Sequence, residues 1–125
     1  MSLYTFTHMD PNAGRSELHD CLELTGAEIS CNLLPAGVSV PFVHSHKKNE
    51  EIYIVLEGAG KVYLNGEVFP LSAGDCFRVA PEVERCISAA ADSSIRFLCV
   101  QVKAGSLEGF TMNDGIMSES KPEWL

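Results

Sequence analysis

Long apolar runs are missing from this 125-residue chain. None nears the ~20 residues that cross a bilayer, so no membrane-spanning segment is expected. Basic residues are scarce as well. Nine Lys and Arg stand against seventeen Asp and Glu, for a net charge of −8. That balance leaves no cluster suited to phosphates and argues against nucleic acid or anionic lipid as a partner. The opening residues, MSLYTFTHMDPNAGR, show no basic start followed by an apolar stretch, so no secretory leader is expected. Signs of disulfide chemistry are absent too: the cysteines number five, an odd count, and no CxxC occurs. Reduced thiols in a cytoplasmic protein are the expectation. There is no GxSxG, no GxxxxGK[ST], no HExxH, and no GxGxxG after a strand. Serine-hydrolase, phosphate-loop, zinc-protease and dinucleotide-binding readings therefore lack their starting motifs.

What the chain does contain is short β-favouring runs, at about 2–7, 17–22, 27–34, 38–46, 51–57, 60–64, 67–71, 75–80, 84–89 and 94–103. Turn residues separate them: Pro35-Ala36-Gly37, Gly58-Ala59-Gly60, Asn65-Gly66, Ser72-Ala73-Gly74 and Ala91-Asp92-Ser93. Asn65-Gly66 is the strongest hairpin signal, because both residues tolerate the positive φ of a tight turn. Many short strands at this spacing predict an all-β fold, a sandwich or small barrel of one domain over residues 1–125. Residues 104–125 have no clear period. They form a C-terminal extension, with a short helix near Leu107–Met112 as one option and Trp124 as a docking residue.

Within VHSHKKNEEIYIVLEG, residues 43–58, His44 and His46 lie one residue apart. On a strand they share a face, with Cα atoms ~6.6 Å apart, so both imidazoles can converge on one ion. After Lys47–Asn49 the chain re-enters a strand in which Glu51, Tyr53 and Val55 share one face and Ile52, Ile54 and Leu56 the other. Apolar residues on both faces predict burial on both sides. An inward carboxylate at such a strand's start is costly unless paired or bound to a cation, which makes Glu51 the natural third ligand. Glu50, on the opposite face, is the alternative.

Here the chain resembles the cupins. Gly37, His44, His46, Glu51 and Gly58 are similar to the first cupin motif, with one extra residue between Gly37 and His44. GDCFRVAPEVERCISA, residues 74–89, resembles the second motif in part. The resemblance implies a cupin-type jelly-roll barrel, a double-stranded β-helix, with motif 1 at 37–58 and motif 2 at 74–89. It also implies a third histidine five residues after the proline. Counted from Pro81 that position is Cys86; counted from Gly74 it is Arg85, which cannot shed its proton to become a ligand. Cys86 is assigned as the fourth ligand on this basis. A small core cysteine is the competing role, and Glu84 is a lesser alternative on the same face.

The implied set is then His44, His46, Glu51 and Cys86. Mixed nitrogen, oxygen and thiolate donors favour Zn²⁺, with Fe, Ni or Co also possible. Phe42, Tyr53, Phe77, Phe97, Cys99 and Gln101 are expected to line a pocket for a small organic ligand, with Phe42, Tyr53 and Gln101 as binding residues. Arg78 and Arg85 are expected in surface ion pairs. The expected function is a metal-dependent enzyme (an isomerase, lyase or oxygenase) or else a non-catalytic ligand-binding or sensory protein. Apolar residues on the outer face of the strand at Ile52, Ile54 and Leu56 favour a homodimer.

Overall fold

A computed structural model describes residues 2–125. Seven strands follow the order β1 (Arg15–Glu17), β2 (Glu28–Leu34), β3 (Asn49–Leu64), β4 (Glu67–Ser72), β5 (Cys76–Val79), β6 (Arg85–Ala89) and β7 (Ile95–Lys103). Every pairing between them is antiparallel. The all-β expectation holds, and one strand organises the rest. The first half of β3 lies between β5 and β7, and its second half between β4 and β6. The 51–57 and 60–64 runs are therefore a single 16-residue strand.

Gly58-Ala59-Gly60, expected as a turn, is instead the bend inside β3. The register against β7 shifts between Val55 and Glu57, the mark of a bulge. Gly58 follows at φ +82°, and a Cβ built there would lie 1.9 Å from the Ser94 carbonyl oxygen. No side chain fits that approach without moving the β7 approach segment. Gly58→Ala should lower stability by at least about 2 kcal/mol, combining left-handed strain with the overlap. A denaturant titration checks this; an unchanged midpoint would mean the bend does not depend on glycine.

Asn65 and Gly66, at φ +47° and +91°, close the β3–β4 hairpin as expected. The 38–46 run pairs with β6 only in pieces. Val40 N–H donates to the Ile87 carbonyl, and His44 and Arg85 exchange both backbone bonds. Pro41 between them has no N–H to continue the ladder. The 17–22 run splits into the end of β1 and a one-turn helix, α1 (His19–Leu22), so His19 is helical rather than in a strand. The run at 2–7 forms no strand. The extension from 104 contains one 3₁₀ turn, Met112–Asp114, in place of a helix at Leu107–Met112, and Trp124 is 87% exposed.

The core fills the barrel from the inward faces: Tyr53, Val55, Val62, Leu71, Val79, Ile87, Ala89, Ile95, Phe97 and Cys99. Alternation in β3 runs as read, with Glu51, Tyr53 and Val55 buried. The opposite face is less covered than expected: Ile52 and Ile54 are half-buried and Leu56 is exposed. Among the described residues no helix is long and apolar enough to cross a membrane.

Candidate metal centre

Among the described residues four polar ones are buried: Ser30, Asn32, Glu51 and Arg85. The last two face each other. Arg85 Nη1 donates to Glu51 Oε1 at 3.0 Å, with side-chain exposures of 2% and 4%. Tyr53 Oη also donates to Oε1, at 2.6 Å. The second carboxylate oxygen, Oε2, accepts from Cys99 Sγ at 3.3 Å and lies 3.2 Å from His46 Nε2. A second Arg85 nitrogen, Nη2, is held by the Ala80 and Pro81 carbonyls, while the buried Nε has no partner among the described residues. Every arm of this network comes from a different part of the barrel, which fixes the carboxylate in one orientation.

His44 and His46 complete the group, their ring centroids 5.1 Å apart and nearly perpendicular. Ligand atoms of His44, His46 and Glu51 all lie within 4.8 Å of one another. Alternation thus delivers both imidazoles to one side although the segment is not a regular strand. The His46 N–H is anchored on the Pro81 carbonyl, and His44 is paired with Arg85. Of the two neighbouring glutamates, Glu51 turns inward, whereas Glu50 meets Arg78 in an ion pair near the surface, 3.6 Å apart.

The assignment of Cys86 is corrected by its geometry. In β6 the inward residues are Arg85, Ile87 and Ala89, while Cys86 and Ser88 alternate to the other side. Cys86 Sγ donates to the Val40 carbonyl at 3.2 Å and, although it lines the cavity, falls outside the three-residue group. The inward place implied for a third histidine belongs to Arg85, which is 1% exposed, the reverse of the expected surface ion pair. The signal was in the sequence: Arg85-Ile87-Ala89 is the more apolar alternate set, and the apolar set faces the core. Counting from Gly74 had reached the same residue.

Charge and burial act together. Burial would raise the Glu51 carboxyl, but hydrogen bonds from Tyr53 and Cys99 and the charges of His46 and Arg85 hold it below the ordinary value. It is an anion at neutral pH. Burial lowers His44, opposed by Glu51 and aided by His46 and Arg85, which favours the neutral imidazole that metals require. Burial, with Glu51 beside it, pushes the Cys99 thiol up to about 12, which matches its place as a donor to Glu51 Oε2. The Tyr53 phenol is raised for the same reasons.

The donor chemistry fits a divalent cation. Two imidazoles and a carboxylate are a three-ligand set with room for a further ligand, and the buried His44 Nδ1 has no hydrogen-bond partner. Arg85 works against tight binding, because a fixed positive charge already sits on Glu51. A cavity of about 390 Å³ opens over the group. Tyr53, Phe42 and Gln101 line it as expected, with Phe97 and Cys99. Phe77 does not; it stacks behind Tyr53 with ring centroids 4.8 Å apart. Arg15, Ser30 and Asn32, which also line it, were not anticipated, since nothing in their local sequence marks β1 and β2 as a cavity wall.

Comparison with known proteins agrees with the fold. The cupin domain family matches residues 30–101. A cupin protein of known structure from Bacteroides fragilis is 58% identical, covers 94% of this chain and 99% of its own, and superposes with a TM-score of 0.91. A predicted oxalate decarboxylase from Thermotoga maritima is 31% identical over 60% of this chain and 64% of its own, with a TM-score of 0.57. An uncharacterized protein from Methanocaldococcus jannaschii is 33% identical over 67 residues, 54% of this chain. The match spans about half the length of that curated relative.

Proposed function

This chain belongs to the cupin domain family, and from that premise we propose that it binds a small organic molecule in the barrel mouth beside a divalent cation. His44, His46 and Glu51 would hold the cation, which would supply Lewis-acid polarisation of a bound oxygen. The observation that carries the reading is the convergence of these three side chains under a cavity of about 390 Å³. A catalytic role, as an isomerase, lyase or oxygenase, is the form that an open coordination position supports. The relatives' names do not extend to this chain's reaction.

The chain's own residues have definable parts in this. Arg85 and Tyr53 keep Glu51 ionised and leave its second oxygen facing His46. Phe42, 58% exposed and edge-on to His44, stands at the entrance and gives an arriving ligand an apolar surface. With no thiolate in the set, zinc loses its special claim, and iron, nickel or cobalt suits two nitrogens and one oxygen comparably. The proposal includes a homodimer in the cytoplasm. Leu56 on β3, 42% exposed, and Val68 on β4, 60% exposed, are partly uncovered apolar residues that support pairing.

Calorimetric titration with zinc, nickel, cobalt and ferrous ions tests the reading. One ion per chain is expected. His46→Ala should weaken binding by about a hundredfold, since it removes one of three ligands. Affinity should fall as pH drops toward 5, because protons compete for His44 and His46. Absence of stoichiometric binding, or equal binding by His46→Ala, would remove the metal from the account.

A further inference from the structure

The chain as a whole is strongly acidic, yet the cavity is not. Glu51 is the one acidic residue among those lining it, and its charge is already matched by Arg85. The remaining ionisable lining groups besides the thiols and Tyr53 are bases: Arg15, His44 and His46. A chain of net charge −8 thus lines this cavity with Arg15, Arg85, His44 and His46 against one carboxylate. Arg85 adds to this. A neutral histidine at its position would leave a cation-loaded centre at +1, counting Glu51; with Arg85 the centre is at +2. Such a centre is best balanced by a ligand that brings negative charge.

Arg15 is placed to receive it. It lies on the short edge strand β1, opposite Asn32 in register. Its Nη1 donates to Asn32 Oδ1 at 2.8 Å, and Asn32 is itself oriented by Ser30 at 3.0 Å. Asn32 and Ser30 are buried, so this support is fixed. Glu17 holds Arg15 Nε from the solvent side at 2.9 Å. Nη2 has no hydrogen-bond partner among the described residues, which leaves a donor for an incoming oxygen. Val40, Phe42, Ile87 and Phe97 supply apolar lining in the same cavity as Arg15 and the histidines.

We propose that the cavity is selective for a small organic carboxylate with an apolar body, its charge met by Arg15 and by the excess positive charge that Arg85 confers on the His44–His46–Glu51 centre. This rests on the function proposed above and names the class of ligand for that site. A carboxylate suits the pair better than a phosphate ester, because a dianionic tetrahedral group would need more donors than the one open Arg15 nitrogen supplies.

The test compares benzoate with benzamide, which have the same shape and differ in charge, by ligand-observed NMR and calorimetry on the full chain, with and without added zinc. Benzoate should bind at least about tenfold more tightly, the magnitude of one charge-assisted hydrogen bond. Arg15→Gln should remove most of that preference while leaving zinc affinity within about twofold. The side chain is half-exposed on an edge strand, so this variant should fold, and its circular dichroism verifies that. Equal binding of benzoate and benzamide while zinc binds would overturn the carboxylate inference and leave the metal centre standing. Phenyl phosphate binding more tightly than benzoate would overturn the choice of carboxylate. Benzoate selectivity without any zinc binding would overturn the part assigned to the loaded centre and leave Arg15 as its source.

Discussion

Arg85→Ala should destabilise the protein by about 3–5 kcal/mol, the usual cost of removing one partner from a buried ion pair. A domain of this size has only about 5–15 kcal/mol in total, so the variant should lie near the edge of folding at physiological temperature. The cause is specific. Glu51 is 3% exposed and its Oε1 takes a charge-assisted bond from Arg85 at 3.0 Å. Without that partner the carboxylate remains in the barrel with only Tyr53, Cys99 and His46 to solvate it. The guanidinium's other partners, the Ala80 and Pro81 carbonyls, lose their donor as well.

Acidity separates this cause from simple loss of packing. Glu51 titrates below the ordinary carboxyl value in the folded protein, so its contribution is present at neutral pH and is lost as pH falls through that lowered value. In Arg85→Ala the carboxyl instead gains a proton readily, so the gap between variant and wild type should narrow as pH falls toward 4. Glu51→Gln placed on Arg85→Ala should recover part of the loss, a coupling of about 1–3 kcal/mol in a double-mutant cycle. Denaturant midpoints across pH measure all of this. A gap that does not change with pH, and no recovery in the double variant, would show that the pair is not the source.

Arg85→His should have the opposite consequence for metal. It exchanges a fixed cation for a neutral nitrogen donor, at an inward position paired across the site with His44. Removing one unit of positive charge beside a dication, and adding a ligand, should raise affinity by about tenfold or more. Competition with a chromogenic chelator gives the number. An affinity equal to or below that of wild type would mean that Arg85 does not sense the ion, and the account of the site's charge would need revision.

Arg85 also shows where sequence reasoning stops. The fold was legible because it rests on local signals: alternation in β2, β6 and β7, the Asn65-Gly66 hairpin, and turn residues between short strands. The grouping of His44, His46 and Glu51 was legible because a spacing of two puts both imidazoles on one side and alternation turns the acid at the mouth of β3 inward beside them. Cys86 was misplaced because its position was counted along a loop from Pro81, and one residue of loop length reverses every facing in the next strand. Strand alternation in Arg85-Ile87-Ala89 was the better guide. Gly58 was misread as a turn because a bulge and a hairpin both call for glycine, and only the pairing partners of β3 tell them apart. Arg15 and Asn32 were out of reach altogether. They enter the site through the β1–β2 edge, and no local pattern reports which edge a barrel turns toward its mouth.

The most direct measurement is anomalous diffraction from crystals soaked in zinc or cobalt, recorded at the metal's absorption edge. The account predicts one strong peak inside the barrel, within about 2.0–2.2 Å of a nitrogen from each of His44 and His46 and an oxygen of Glu51, with Cys86 out of bonding range. A peak bound to Cys86, a peak confined to surface thiols such as Cys21 and Cys76, or no peak at the histidines would contradict it.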